Sequence, residues 1–135
     1  MKHAVIWLVV AVASYAGLAG GYHAWLQTHP RRIVVVVDSS NAMQGMLPRV
    51  DAILDDLARR RYHEFALYTD RSRMHGWSRR FSPGRIAAYG PRDPARFEAL
   101  RSRPEFAEAD EVFLITNAPP DELAGPNGWT VRRLE

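Results

Sequence analysis

The chain lacks cysteine and the motifs that mark several enzyme classes. Without cysteine there are no disulfide bonds and no thiolate metal sites, and the redox compartment stays undetermined. There is no Gly-x-x-x-x-Gly-Lys-Ser/Thr or Gly-x-Gly-x-x-Gly stretch to cradle a phosphate. There is also no Gly-x-Ser-x-Gly turn for a nucleophile and no His-x-x-x-His spacing for zinc. We therefore expect a protein that is not an enzyme.

Charged side chains are absent from residues 4–26, which form one apolar run. A helix of this length crosses a hydrocarbon core of about 30 Å. Trp7 lies near one end of the run, and Tyr22 and Trp25 lie near the other, as in the aromatic belts of membrane helices. The sequence thus predicts a single transmembrane helix.

A cleaved signal peptide is the alternative interpretation of this segment. Gly17-Leu18-Ala19 offers the small residues that a signal peptidase requires. We favour an uncleaved anchor, because the apolar run continues past that site to Leu26. Positive charges flank the helix on both sides, so the charge pattern sets no orientation. We expect the C-terminal part on the periplasmic or extracytoplasmic side.

Small residues recur at four-residue spacing within the apolar run. Ala13, Gly17 and Gly21 would share one face of the helix, where another membrane helix approaches closely. We predict helix packing on this face. The alternative is that these residues have no such role, because glycine and alanine are common in membrane helices.

The remaining chain has the length of one domain with one core. All 15 acidic residues lie in residues 33–135, together with 15 of the 18 bases, so this part carries no formal net charge. We therefore expect no nucleic-acid partner in spite of the basic pI. The predicted organisation is a flank (1–3), a transmembrane helix (4–26), a linker (27–32) and an α/β domain (33–135).

A run of β-branched residues, Ile-Val-Val-Val-Val at 33–37, organises this domain. Such a run does not alternate between polar and apolar residues, so it predicts a strand that is buried on both faces of a parallel sheet. Asp38-Ser39-Ser40-Asn41 follows directly, and these residue types favour turns and helix caps. Ligands of open α/β sheets bind at this carboxyl end of the strands. The alternative is that the loop only caps the next helix.

Helical and strand patterns alternate through the rest of the domain. Helical spacing of apolar residues begins at Met43, and Pro48 indicates that the regular helix starts near Leu47. Residues 64–69 and 74–81 predict a hairpin, and residues 85–92 fit either a short helix or a loop. A helix over 93–103, capped by Asp93, precedes strands over 111–116 and 128–134. Together they predict a small α/β domain with a mostly parallel, Rossmann-like sheet and an antiparallel edge hairpin.

Three of the predicted strands end in polar loops, at Asp38-Ser39-Ser40, Thr69-Asp70 and Thr116-Asn117. Parallel strands place these loops at one edge of the sheet. With these strands and loops, the chain resembles a von Willebrand factor type A domain. The resemblance covers residues 33–134 and rests on three stretches: IVVVVDSSNAM, FALYTDRSRMHGWSRRF and EVFLITNAPP.

The resemblance implies a divalent-cation site built on Asp-x-Ser-x-Ser with a Thr and an Asp from later loops. Oxygen ligands of this kind suit magnesium or manganese. The corresponding residues of this chain are Asp38, Ser40, Thr116 and Asn117. Three departures weaken the site. Ala42 stands where the second serine would be, Asn117 replaces the usual Asp, and residues 89–93 contain no Thr. We therefore expect no bound cofactor.

Two functional hypotheses from different classes follow. The first is a membrane-anchored, non-enzymatic interaction subunit. Its partners are other protein subunits of a membrane complex, which it serves as an accessory or assembly component. The second is a divalent-cation-dependent binding module or minor hydrolase that uses Asp38, Ser40, Asp70, Thr116 and Asn117. Ala42, which offers no side-chain oxygen, favours the first.

Overall fold

The computed structural model describes residues 2–80, 84–123 and 128–135. The chain divides into two compact units, Met1–Pro30 and Arg31–Glu135. The first unit is helix α1, Lys2–Thr28, whose large apolar side chains are exposed. The helix is long and apolar enough to cross a membrane, a property that N-terminal signal sequences share. Helix α1 extends beyond the predicted span, residues 4–26, at both ends.

The second unit contains a five-stranded sheet with two helical layers. Its strands are β1 (Arg31–Val37), β2 (His63–Thr69), β3 (Arg73–Ser78), β4 (Glu111–Thr116) and β5 (Thr130–Arg133). Its helices are α2 (Leu47–Ala58), α3 (Pro94–Leu100) and α4 (Pro104–Glu108), and a 3-10 helix over Asn41–Met46 precedes α2.

The strands are arranged in the order β3-β2-β1-β4-β5, so the run of β-branched residues forms the central strand. β1 pairs in parallel with β2 and β4, and β4 pairs in parallel with β5. β3 alone is antiparallel, to β2. The predicted α/β class, with a mostly parallel sheet and an antiparallel edge hairpin, is confirmed.

Alternate residues of β1 point into two separate apolar cores. Ile33, Val35 and Val37 face α2, where Val50 and Leu54 are buried against them. Val34 and Val36 face the opposite side, together with Phe97 and Leu100 of α3. This two-sided burial explains why the run has no polar alternation. Pro48 lies in the first turn of α2, as its sequence position indicates.

The structure corrects some element boundaries. The helix predicted over 93–103 ends at Leu100, and the chain begins α4 at Pro104, which sequence patterns did not indicate. Residues 84–90 form a loop, and β5 is shorter than the strand predicted over 128–134. The end of the predicted hairpin, at residue 81, lies outside the described residues.

A buried carboxylate attaches α4 to the sheet. Glu105 is almost fully buried, pairs with Arg73 of β3 at 3.0 Å, and accepts a hydrogen bond from the hydroxyl of Tyr68. Burial and this contact raise the pKa of Tyr68 to about 12. These contacts are long-range, which is why local sequence patterns missed the helix.

Candidate functional site

Asp38 is the centre of the polar edge and is completely buried. The sheet pairing continues one residue beyond β1, since the N–H of Asp38 donates to Ile115 at 2.9 Å. On the other side, the N–H of Asp70 donates to Val37 at 3.3 Å. These bonds fix Asp38 between the carboxyl ends of β2 and β4.

Both carboxylate oxygens of Asp38 have partners. Oδ1 accepts the backbone N–H of Ser40 at 2.9 Å, in a tight turn. Oδ2 accepts the hydroxyl of Thr116 at 2.7 Å and Nε of Arg92 at 2.7 Å. The carboxylate is therefore neutralised inside the protein by a guanidinium.

The guanidinium of Arg92 links three segments of the edge. Besides Asp38, it donates through Nη1 to Glu122 at 2.8 Å and through Nη2 to the side-chain oxygen of Asn117. Asn117 in turn donates to the carbonyl of Ala42 at 2.7 Å. The Arg92 side chain is only 8% exposed. A planar group with fixed N–H directions suits this bridging role.

The pKa values of the pair follow from its burial and hydrogen bonds. Burial alone would raise the pKa of Asp38, but the N–H of Ser40, the hydroxyl of Thr116, the nearby side chain of Ser40 and the guanidinium of Arg92 lower it below its ordinary value. Burial would lower the pKa of Arg92, but the contacts with Asp38 and Glu122 raise it. Both groups are therefore charged in the folded protein.

Backbone contacts hold the loop that carries Arg92 against the edge. The N–H of Tyr89 donates to Ser39 at 2.8 Å, and the N–H of Asn41 donates to Gly90 at 2.9 Å. Gly90 has φ +74°, and a Cβ there would lie 2.5 Å from Nη2 of Arg71. The positive φ favours glycine here, whereas the close atom is the end of a flexible side chain that can shift.

Asp70 contributes to the polar edge by hydrogen bonding to Ser39 and not to Asp38. Its Oδ1 accepts both the N–H of Ser39, at 3.0 Å, and the hydroxyl of Ser39, at 2.5 Å. The hydroxyl of Ser40 is buried and has no hydrogen-bond partner in the described residues. Ser40 is the N-cap residue of the 3-10 helix, and its side chain makes no capping hydrogen bond.

The structure brings together the four predicted cation ligands, Asp38, Ser40, Thr116 and Asn117. The oxygens of Asp38 and Asn117 point at the guanidinium of Arg92, and these residues do not form a cation site while Arg92 stays there. The described part of the chain has no group of three or more His, Cys, Asp or Glu side chains that suits a metal. Ligation of magnesium or manganese by these residues and Ser40 stays a prediction that requires Arg92 to move.

Sequence reasoning missed Arg92 and Glu122. Arg92 lies at the end of residues 85–92, which fit either a short helix or a loop, and the family resemblance points to a threonine in this region and not to an arginine. One signal was present in the sequence. A buried aspartate needs a positive charge beside it, and an arginine in a loop at the same edge of the sheet supplies that charge.

No family model, no curated protein and no solved structure matches the chain. The sheet, the polar edge and the apolar helix are therefore interpreted from their own contacts.

We predict that Arg92→Met lowers the free energy of unfolding by roughly 3–5 kcal/mol, because it leaves the buried Asp38 carboxylate without its counter-charge. Arg59→Met, at an exposed position after α2, is the matched control and should change it by less than about 0.5 kcal/mol. Chemical unfolding of the full chain in mild detergent, followed by circular dichroism, measures both. Equal stability of the two variants would contradict the assigned ion pair.

We also predict a pH-dependent difference between the wild type and Asp38→Asn. A carboxyl whose pKa falls on folding stabilises the protein above its ordinary pKa of about 3.9, and this stability is lost as the pH falls further. The variant should therefore be less stable at neutral pH, and the difference should shrink as the pH falls below about 4. Unfolding measured across this range tests it. A constant difference would show that the Asp38 charge does not matter.

Proposed function

We propose that this chain is a membrane-anchored, non-enzymatic interaction subunit, which serves as an accessory or assembly component of a larger membrane protein complex. The observation that carries the proposal is the guanidinium of Arg92 at the carboxyl edge of the sheet. It contacts Asp38, Asn117 and Glu122. A catalytic site presents polar groups to a substrate, whereas these groups satisfy one another.

The proposal includes the likeness to a von Willebrand factor type A domain. The central position of β1, the antiparallel edge strand β3 and the three polar loops at one edge support it. In this proposal Arg92 supplies the positive charge for which the family uses a cation. Binding to a partner is then independent of free metal ions, because a guanidinium stays charged at any physiological pH.

The N-terminal helix supports the membrane part of the proposal. Its apolar side chains are exposed along its length, as a lipid-facing helix requires. Around Gly17 and Gly21 an added Cβ meets no atom of the chain within 4 Å, so this face has room for a neighbour. We propose that Ala13, Gly17 and Gly21 contact a membrane helix of the complex, with the α/β domain on the extracytoplasmic side.

One observation favours the second candidate, a cation-dependent binding module or minor hydrolase. The buried hydroxyl of Ser40 has no hydrogen-bond partner in the described residues, and it stands next to Asp38. An unpaired buried hydroxyl costs free energy that an incoming ligand would recover. In this alternative Arg92 leaves its position, and Asp38, Ser40, Asp70, Thr116 and Asn117 face the cation.

The test is the size of the assembly that carries the chain in native membranes. A C-terminally tagged protein, solubilised in mild detergent, should elute with stoichiometric partners that mass spectrometry identifies. The assembly should survive a chelator, since Arg92 and not a metal ion neutralises Asp38. A monodisperse monomer after gentle solubilisation would contradict the proposal.

Three further measurements test the alternatives and the anchor. Dissociation by chelator, reversed by magnesium or manganese, would favour the cation-dependent module. The intact mass of the purified chain shows whether the first helix is retained, and loss of that helix would contradict the anchor. Gly17→Ile with Gly21→Ile should weaken assembly, whereas Val9→Ile with Val10→Ile should leave it unchanged.

A further inference from the structure

A pocket of about 240 Å³ lies beside the edge site, between the turn after β2 and helix α3. Its lining is rich in arginine and consists of Asp70, Arg71, Arg96, Ala99, Leu100 and Arg103. Asp70 also holds Ser39 of the polar edge, and Arg71 contacts the loop that carries Arg92. The pocket therefore adjoins the edge site.

The pocket has an excess of positive charge, with three guanidinium groups against one carboxylate. Asp93 pairs with Arg96 at 3.2 Å from outside the pocket, and both side chains are more than 40% exposed. Among the described residues Arg103 makes no ion pair within 4 Å. Arg71 and Arg96 are paired with Asp70 and Asp93, so three guanidinium groups stand against two carboxylates and leave an excess of one positive charge. This excess attracts an anionic partner.

Arg71 lines the pocket, and its side chain is held in place by contacts within the domain. Its guanidinium stacks over the ring of Tyr89 at 4.5 Å and donates through Nη2 to the carbonyl of Pro91 at 3.1 Å. Its Nε lies 3.5 Å from Oδ2 of Asp70. Arg71 is therefore held in place before any partner arrives, which lowers the entropy cost of binding.

The polar groups of the pocket fit a peptide better than a phosphate. Guanidinium groups donate in pairs to carboxylate and phosphate oxygens alike. Oδ2 of Asp70, however, is buried 3.5 Å from Nε of Arg71, so a negative charge already stands beside the arginines. A peptide carboxylate carries one negative charge and a phosphate dianion two, so the Asp70 charge repels the phosphate more strongly.

We propose that this arginine pocket binds an acidic segment of a protein partner, with a carboxylate held by Arg71, Arg96 and Arg103. The proposal rests on the interaction function proposed above and names the chemistry of the partner. Binding here is coupled to the edge site, because Asp70 holds Ser39 next to Asp38, and Arg71 contacts the loop that carries Arg92.

The experiment uses the full chain in nanodiscs of zwitterionic lipid and a fluorescein-labelled hexaglutamate peptide. Fluorescence anisotropy should show saturable binding that weakens as salt rises from about 50 mM to about 500 mM. Arg96→Gln with Arg103→Gln should weaken binding roughly tenfold or more, because two charge-assisted contacts are lost. Arg59→Gln with Arg61→Gln removes the same charge at exposed positions outside the pocket and should leave binding unchanged.

Hexaglutamine is the uncharged control peptide, and unfolding curves confirm that both double variants are folded. Absence of hexaglutamate binding, or equal loss in both double variants, would overturn the proposal. Stronger competition by inorganic phosphate, or by vesicles of anionic lipid, than by unlabelled hexaglutamate would also overturn it, in favour of a phosphate ligand.

Assembly in native membranes separates this inference from the proposed function. If the wild type elutes in a large assembly and Arg96→Gln with Arg103→Gln does so equally, the pocket proposal fails and the interaction function stands. If only the pocket variant loses the assembly, the pocket proposal is supported. A wild type that elutes as a monomer would overturn the proposed function itself.

Discussion

The carboxyl edge of the sheet depends on one buried ion pair, between Asp38 and Arg92. A carboxylate with no exposed surface is costly unless an opposite charge and hydrogen bonds compensate it. Arg92 supplies the charge, while Thr116 and the N–H of Ser40 supply hydrogen bonds. The pair also connects the end of β1 to the loop before α3 and, through Asn117, to the end of β4.

In the proposed interaction function, this constraint makes the edge a preformed scaffold, because Asp38, Asn117 and Glu122 are engaged with Arg92. Next to it, the arginine pocket has three guanidinium groups against the carboxylates of Asp70 and Asp93. Asp70 and Ser39 connect the two places, so a partner in the pocket would contact a scaffold that the buried pair has already ordered.

Much of the fold could be predicted because it depends on local patterns. The apolar run before Asp38 specifies a central strand, and Pro48 specifies the start of α2. The polar edge follows from parallel topology alone, which brought Asp38, Thr116 and Asn117 together. Arg92 and the helix that carries Glu105 could not be predicted in this way. Their positions depend on partners distant in sequence, Asp38 in one case and Tyr68 and Arg73 in the other.

The most direct test of this account is the rate of hydrogen exchange at Nε of Arg92, measured by NMR on the full chain in detergent micelles. A guanidinium that is buried and bonded to Asp38 should exchange slowly, and its resonance should move in Asp38→Asn. The exposed arginines at 59–61 provide the fast reference in the same spectrum. Slower exchange at Arg92 than in those exposed arginines, with the shift in Asp38→Asn, would confirm that it neutralises the edge. Exchange as fast as in those arginines would contradict the account.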